Sequence, residues 1–162
     1  MTGNSITRGN ASQFFVAAEL CRRGYSAVVT LGNTPNTDIL CSNLEGTKFV
    51  HIQVKTYVPG NSSCSVGMKA TKFFGDNFFW ILAGIPQPGS TVSNEYYIIP
   101  NRVMVDNEPK YHRLWLETPG KNGQAHNDTT MRVVLLPPSI SPYYWDISPY
   151  RNNWGLIEEK LS

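Results

Sequence analysis

The fold is decided by residues 38–55, which read DILCSNLEGTKFVHIQVK. An acid opens the short apolar run Asp38–Ser42, which predicts a strand. Asn43–Gly46 carries Asn and Gly, the residues of a tight turn. Apolar and polar residues then alternate over Lys48–Tyr57, the pattern of a half-buried second strand. The stretch therefore predicts a β-hairpin with an acid at its opening.

The two faces of the second strand differ in chemistry. Successive side chains of a strand point to opposite faces, so Val50, Ile52 and Val54 share the core face. His51, Gln53 and Lys55 share the other face. Asp38 stands at the mouth of the neighbouring strand, so one carboxylate, one amide and one ammonium group are expected to converge at one end of the sheet.

The rest of the chain indicates an α/β (α+β) domain. A helix is predicted over about Asn10–Arg23, where apolar and small residues recur at helical spacing before Gly24. Strands are predicted over Tyr25–Leu31, Asn77–Ile85, Glu95–Ile99 and Met131–Leu136, a turn over Gly32–Thr37, a short helix within Met68–Phe74, a helical turn near Arg102–Val105 and a C-terminal helix over about 152–161. Residues 107–128 are polar and indicate an extended insertion, with a strand at Arg113–Glu117. We expect one domain over 1–162, with its core at about 9–100.

Composition excludes several classes of protein. Hydrophobic residues make up 41% of the 162 residues, which argues against disorder. The three cysteines form no C-x-x-C pair, so neither a disulfide framework nor a zinc knuckle is indicated. Residues 1–8 lack the apolar segment of a signal peptide, and no apolar run is long enough for a membrane span. We therefore expect a cytoplasmic protein. A net charge of +2 neither requires nor excludes a nucleic acid.

A helix, a strand, Asp38, a hairpin and Gln53-Val54-Lys55 follow one another in an order that resembles the core of the PD-(D/E)-x-K nuclease superfamily. That group includes many restriction endonucleases and the archaeal Holliday-junction resolvases. The resemblance implies a mixed central sheet flanked by helices, in the order αβββαβ. It is best over residues 9–57. Thr37 stands where the motif has proline, and Gln53 resembles a minority variant found in some restriction enzymes that cut methylated DNA.

The first helix adds to the resemblance. In the resolvase-like branch it starts with Gly, has a Glu four residues later, and ends at a Gly-aromatic pair. Gly9, Gln13 and Gly24-Tyr25 keep that spacing, with Gln in place of the Glu. Asp38 is then the one carboxylate that the resemblance places in the site.

The resemblance implies hydrolysis of DNA phosphodiester bonds with Mg²⁺ or Mn²⁺. Asp38, the Gln53 side chain and the Val54 backbone carbonyl would hold the metal, since such cations prefer oxygen ligands. Lys55 would position the attacking water or stabilise the charged phosphoryl group, and Gln13 would be an outer partner. Candidate DNA contacts are Arg8, Lys72 and His51. Nucleases of this kind often work as homodimers.

Each of these residues also has a plainer interpretation. Asp38 suits a turn, and Gln53 with Lys55 suits a solvated strand face. Gln13 completes a capping box with Asn10, and His51 suits packing at the end of a sheet. The aromatic groups are interpreted as core rather than as base-stacking platforms: Phe73-Phe74, Phe78-Phe79-Trp80 and Tyr143-Tyr144-Trp145.

Two other functions compete with nuclease activity. One is a module of the same fold that binds nucleic acid or a protein without cutting. The other is a small interaction or immunity-type protein that does not bind DNA. Gly-rich phosphate loops, H-E-x-x-H and G-x-S-x-G are absent from the sequence, which argues against several other enzyme classes.

Overall fold

The computed structural model describes residues 5–30 and 34–162. The predicted strand end at Leu31 and the predicted turn residues Gly32 and Asn33 lie outside this range. Helices and strands follow in the order α1 (Ser5–Arg22), β1 (Ser26–Val29), β2 (Ile39–Ser42), β3 (Phe49–Tyr57), β4 (Ser63–Ser65), β5 (Phe78–Gly84), β6 (Glu95–Pro100), α2 (Asn101–Glu117), β7 (Val133–Leu135) and α3 (Gly155–Leu161). Two short 3₁₀ helices lie at Met68–Thr71 and Ser148–Tyr150.

Helix α1 is longer than predicted. Its described part starts at Ser5, so Asn10 lies inside the helix. A capping residue stands outside the helical turns, and the predicted capping box of Asn10 with Gln13 is therefore wrong. The predicted end is confirmed: Gly24 has φ +92°, and the Tyr25 N–H donates to the Leu20 carbonyl at 3.1 Å. This is the glycine-terminated helix end that the sequence indicates.

The central sheet has five strands in the order β1-β2-β3-β5-β6. Strands β3 and β5 run parallel, and the other neighbours are antiparallel. This mixed sheet with flanking helices confirms the predicted fold class. The crossover from β3 to β5 carries β4 and the 3₁₀ helix Met68–Thr71, where the αβββαβ order has an α-helix. Strand β4 pairs with β7 in a separate two-stranded sheet.

Each face of the central sheet has its own core. On one face, α1 and α3 cover Val50, Ile52 and Val54 of β3. On the other face, α2 and the β4–β7 pair cover Trp80 and Leu82 of β5. Every side chain of β5 is buried, as its continuous apolar sequence predicts for a central strand. The closing helix is also confirmed, and it buries Ile157 and Leu161.

The prediction for the region after β6 is wrong in part. Residues 107–117 are helical and belong to α2, where an extended insertion with a strand at Arg113–Glu117 was expected. Met104, Glu108, Tyr111 and Trp115 recur at helical spacing, and each is buried or half-buried. Pro109 and the charge of Glu108 interrupt this stripe in the sequence and hide the helix.

No helix in the described residues is long and apolar enough to cross a membrane.

Candidate functional site

The candidate site lies where β2 and β3 separate. Ile39, the first residue of β2, pairs with Ile52. The Asp38 N–H still donates to the Ile52 carbonyl at 2.9 Å, and residues 53–57 of β3 then continue past the end of β2. The register places Asp38 opposite Gln53, as the hairpin predicts. The edge of β3 beyond the last β2–β3 pair, which we call the gap, is contacted by the Asp38 side chain.

The Asp38 carboxylate bridges this gap. Its Oδ2 atom accepts a hydrogen bond from the Val54 N–H at 2.7 Å and another from the Gln53 side-chain amide. Its Oδ1 atom makes no hydrogen bond to any residue in 5–30 or 34–162. One oxygen therefore holds the two strands together, and the other remains available to a ligand. The turn interpretation of Asp38 does not account for these contacts with β3.

Electrostatics at Asp38 has two opposing parts. Burial raises the pKa of the carboxyl above its ordinary value, because the charged form loses hydration. The Val54 N–H, the charges of Lys55 and Lys69 and the Gln53 amide act in the opposite direction and lower it. Burial outweighs them, and the pKa of Asp38 is raised. A half-buried carboxyl with a raised pKa takes up a proton more readily than an exposed one, and its ionised form can bind a cation.

Gln53 and Lys55 lie on the face of β3 opposite Val54, as the alternation predicts. Gln53 is buried and is registered with Trp80 of β5, and half-buried Lys55 is registered with Leu82. The plainer interpretation of Gln53 as a solvated residue is wrong, because only 7% of it is exposed. Burying a polar amide is costly unless it is hydrogen-bonded, and Asp38 accepts that hydrogen bond.

The remaining predicted residues lie on β3, on the crossover from β3 to β5 and on α1. His51 is exposed, and its Nδ1 atom lies 3.3 Å from the Thr37 hydroxyl. Lys72 is exposed on the crossover, and Arg8 is half-buried on α1. Gln13 is half-buried on α1, and none of the hydrogen bonds among the described residues joins it to Asp38, Gln53 or Lys55.

Two neighbours of the site were absent from the sequence-based prediction. Ser12 is fully buried in α1, and its hydroxyl lies 2.6 Å from the Thr56 hydroxyl, directly after Lys55. This contact fixes α1 against the part of β3 that runs past β2. The sequence signal was weak, because a serine on the apolar face of a helix is recognised only when its partner is known.

The oxygen atoms at the site fit a hard divalent cation only partly. Asp38 offers Oδ1, Gln53 offers an amide oxygen, and the Val54 carbonyl points to the same edge as its N–H, which is the side of the gap. Across the described ranges, no three His, Cys, Asp or Glu side chains converge as a metal-binding group. The site therefore has one formal negative charge and neutral oxygens, and its affinity is expected to be lower than that of a site with several carboxylates.

Comparison with known proteins gives a fold relationship. No family model matches the chain, and no curated protein sequence matches it. A solved structure of a bacterial homing endonuclease, I-Ssp6803I, superposes with a TM-score of 0.56 at 14% identity. The match covers 98% of this chain and 94% of the other. The two chains share a fold over nearly their whole lengths, and at this identity the similarity concerns the fold alone.

Proposed function

We propose that the protein is a metal-dependent endonuclease that hydrolyses DNA phosphodiester bonds at the Asp38–Gln53–Lys55 site. The observation that carries this proposal is the Asp38 carboxylate, which reaches across the β2–β3 gap to Gln53 and Val54 with one oxygen left for a ligand. The shared fold with a homing endonuclease supports the same function. DNA is the proposed substrate, and Mg²⁺ or Mn²⁺ the proposed cofactor.

The chain's own residues have distinct tasks in this proposal. Asp38 Oδ1, the Gln53 amide oxygen and the Val54 carbonyl would hold the cation. A cation bound there polarises the phosphate and lowers the pKa of water. Lys55 orients the attacking water and balances the negative charge that develops on the phosphoryl oxygens. Because burial raises the pKa of Asp38, and cations bind the ionised carboxylate, metal binding is expected to weaken as the pH falls.

A second candidate function keeps the fold and the DNA but omits cleavage. It is favoured by the amides at positions 13 and 53, which leave Asp38 as the one carboxylate that makes these contacts. A site with a single negative charge can be too weak to hold a cation at cellular concentrations. Under this alternative the protein binds DNA and leaves it intact.

Plasmid cleavage distinguishes the two functions. We expect the wild-type protein to nick or linearise supercoiled DNA in Mg²⁺ or in Mn²⁺. Asp38→Asn and Lys55→Met should each reduce the rate by about a hundredfold or more, because each removes a charge that acts on the reacting phosphate. Matched controls are Asp106→Asn and Lys160→Met, both at exposed helical positions, which should cleave like the wild type.

The results assign the function as follows. Equal cleavage by the wild type, Asp38→Asn and Lys55→Met would reject the site. Wild-type protein that binds DNA but leaves it uncut in millimolar Mn²⁺ would instead support the alternative.

A further inference from the structure

The segment Gly67–Gly75, which we call the crossover segment, connects β4 to β5 and reads GMKATKFFG. Glycines with φ of +72° and +123° stand at its two ends. Residues with a Cβ rarely adopt such φ values, so the path of the chain at both ends depends on glycine. The segment therefore has a defined course between the two strands.

A buried asparagine fixes the second half of this segment. Asn101 is fully buried at the start of α2, and its amide Nδ2 donates to the Lys72 carbonyl at 3.1 Å. Its Oδ1 accepts from the Phe74 N–H at 2.5 Å. The two hydrogen bonds hold the backbone on either side of Phe73. Replacing a buried side chain that both donates and accepts a hydrogen bond is costly, so these bonds fix the conformation of residues 72–74.

Phe73 is held facing outward by this arrangement. Its neighbour Phe74 packs against Phe78 with ring centroids 4.8 Å apart, whereas 44% of Phe73 is exposed. The prediction that Phe73-Phe74 belongs to the core is therefore wrong at Phe73. Its position depends on Asn101, which is far along the chain, and no local pattern reveals it.

Positively charged side chains lie on the same surface segment as the exposed ring. The Arg102 guanidinium lies 3.7 Å from the Phe73 ring centroid, and Lys69 and Lys72 are exposed on the same segment. Residues 67–76 contain one acid, Asp76, which lies 3.7 Å from Arg102. Three cations against one acid make this a basic surface that carries an exposed aromatic ring.

The crossover segment also borders the candidate site. It ends at Gly75, three residues before Phe78, and Phe78 is registered with His51 on β3, two residues before Gln53.

We propose that the crossover segment and Arg102 form a DNA-contact surface on which Lys69 and Lys72 neutralise phosphates and Phe73 stacks on a base. The choice of DNA as the ligand rests on the proposed function. Polyanionic backbones bind basic surfaces, and bases of any type can stack on exposed aromatic rings. The bases of a regular duplex are already stacked, so Phe73 acts where bases are unpaired or where a base step opens.

Fluorescence anisotropy in EDTA at low salt tests the surface without cleavage. The probes are labelled oligonucleotides of one length: a single strand, a perfect duplex and a duplex with a bulge. We expect Phe73→Ala to weaken binding to the single strand and to the bulged duplex by about tenfold, and to the perfect duplex much less. Phe73→Trp should bind at least as well as wild type. Phe14→Ala, a change at another exposed phenylalanine, is the control and should leave binding unchanged.

A second variant tests the role of charge. Lys72→Ala should weaken binding to all three probes by a similar factor and reduce the slope of log affinity against log salt by about one. Lys121→Ala, at an exposed lysine in the loop after α2, is the matched control.

The inference fails if Phe73→Ala and Phe14→Ala bind all probes equally well, or if the wild type binds no DNA at low salt. The second result would point to a protein as the partner of this surface. Wild-type protein that shows the expected binding pattern but cuts no plasmid would refute the proposed cleavage and leave the contact surface supported. If the wild type cuts plasmid and Phe73→Ala binds every probe like the wild type, the proposed cleavage is supported and the contact surface is refuted.

Discussion

Asp38 supplies the negative charge at the candidate site, and Gln53 supplies an amide directly beside it. A glutamate at position 53 would place two carboxylates next to each other. Without metal they would repel and the hydrogen bond to Asp38 would be lost, so the melting temperature should fall. With Mn²⁺ the added charge should tighten binding about tenfold. Scanning calorimetry without metal measures the melting temperature of Gln53→Glu, and calorimetric titration measures its Mn²⁺ affinity, with Gln87→Glu at an exposed loop position as control. Equal Mn²⁺ affinity in the wild type and Gln53→Glu would remove Gln53 from the metal site.

Glu108 is a second carboxyl in an unusual environment. It is 2% exposed on α2, and neither of its oxygens has a hydrogen-bond partner among the described residues. Burial raises the pKa of Glu108 to about 7, although the nearby Arg132 guanidinium lowers it in part. The charged form is therefore disfavoured in the folded protein.

This pKa gives stability a defined dependence on pH. Between the ordinary glutamate pKa and about 7, the unfolded chain releases a proton that folded Glu108 retains. The free energy of unfolding should therefore fall as the pH rises through this window, by up to about 3 kcal/mol, and then level off. In Glu108→Gln this loss should be much smaller. Urea denaturation from pH 5 to pH 8 measures it, with exposed Glu117→Gln as control; wild-type pH dependence in Glu108→Gln would contradict the expectation.

At the scale of elements, the contact between α1 and β3 includes one pair of hydroxyl groups beside its apolar core. Ser12 donates to the Gly9 carbonyl at 2.7 Å, so the proton between Ser12 and Thr56 comes from Thr56. Thr56→Val keeps the shape and removes that donor. We expect it to lower the free energy of unfolding by about 1 kcal/mol. Urea denaturation checks this against Thr91→Val at an exposed loop position, and equal effects of the two changes would show that the hydroxyl contact adds no stability.

Sequence patterns predict these elements to different extents. The hairpin of β2 and β3 follows from local alternation, and its register alone brings Asp38 to Gln53. Helix α2 was missed in large part because Glu108 and Pro109 interrupt its apolar stripe. The outward position of Phe73 depends on Asn101, and the buried hydroxyl of Ser12 depends on its partner Thr56. Contacts between residues distant in the chain are set by the folded sheet, and local periodicity does not contain them.

At the scale of the whole molecule, the site lies on a strand that contributes residues to both cores of the sheet. Asp38 directly precedes β2 and contacts β3, whose Val54 belongs to the core under α1 and α3 and whose Tyr57 belongs to the core under α2. Loss of either core should therefore disturb the site. A homodimer stays a prediction, which sedimentation analysis of the protein with and without DNA would measure.

Strand β5 lies between β3 and β6, and all of its side chains are buried. Its amide hydrogens should exchange with deuterated solvent only when the molecule unfolds as a whole, and so be among the slowest. A ligand that binds only the native state slows such global exchange, even at a distance. Deuterium uptake by β5, read by mass spectrometry, should therefore fall when Mn²⁺ is added to the wild type and stay constant in Asp38→Asn. Deuterium exchange of β5 would thus report metal binding at the site without any assay of DNA cleavage.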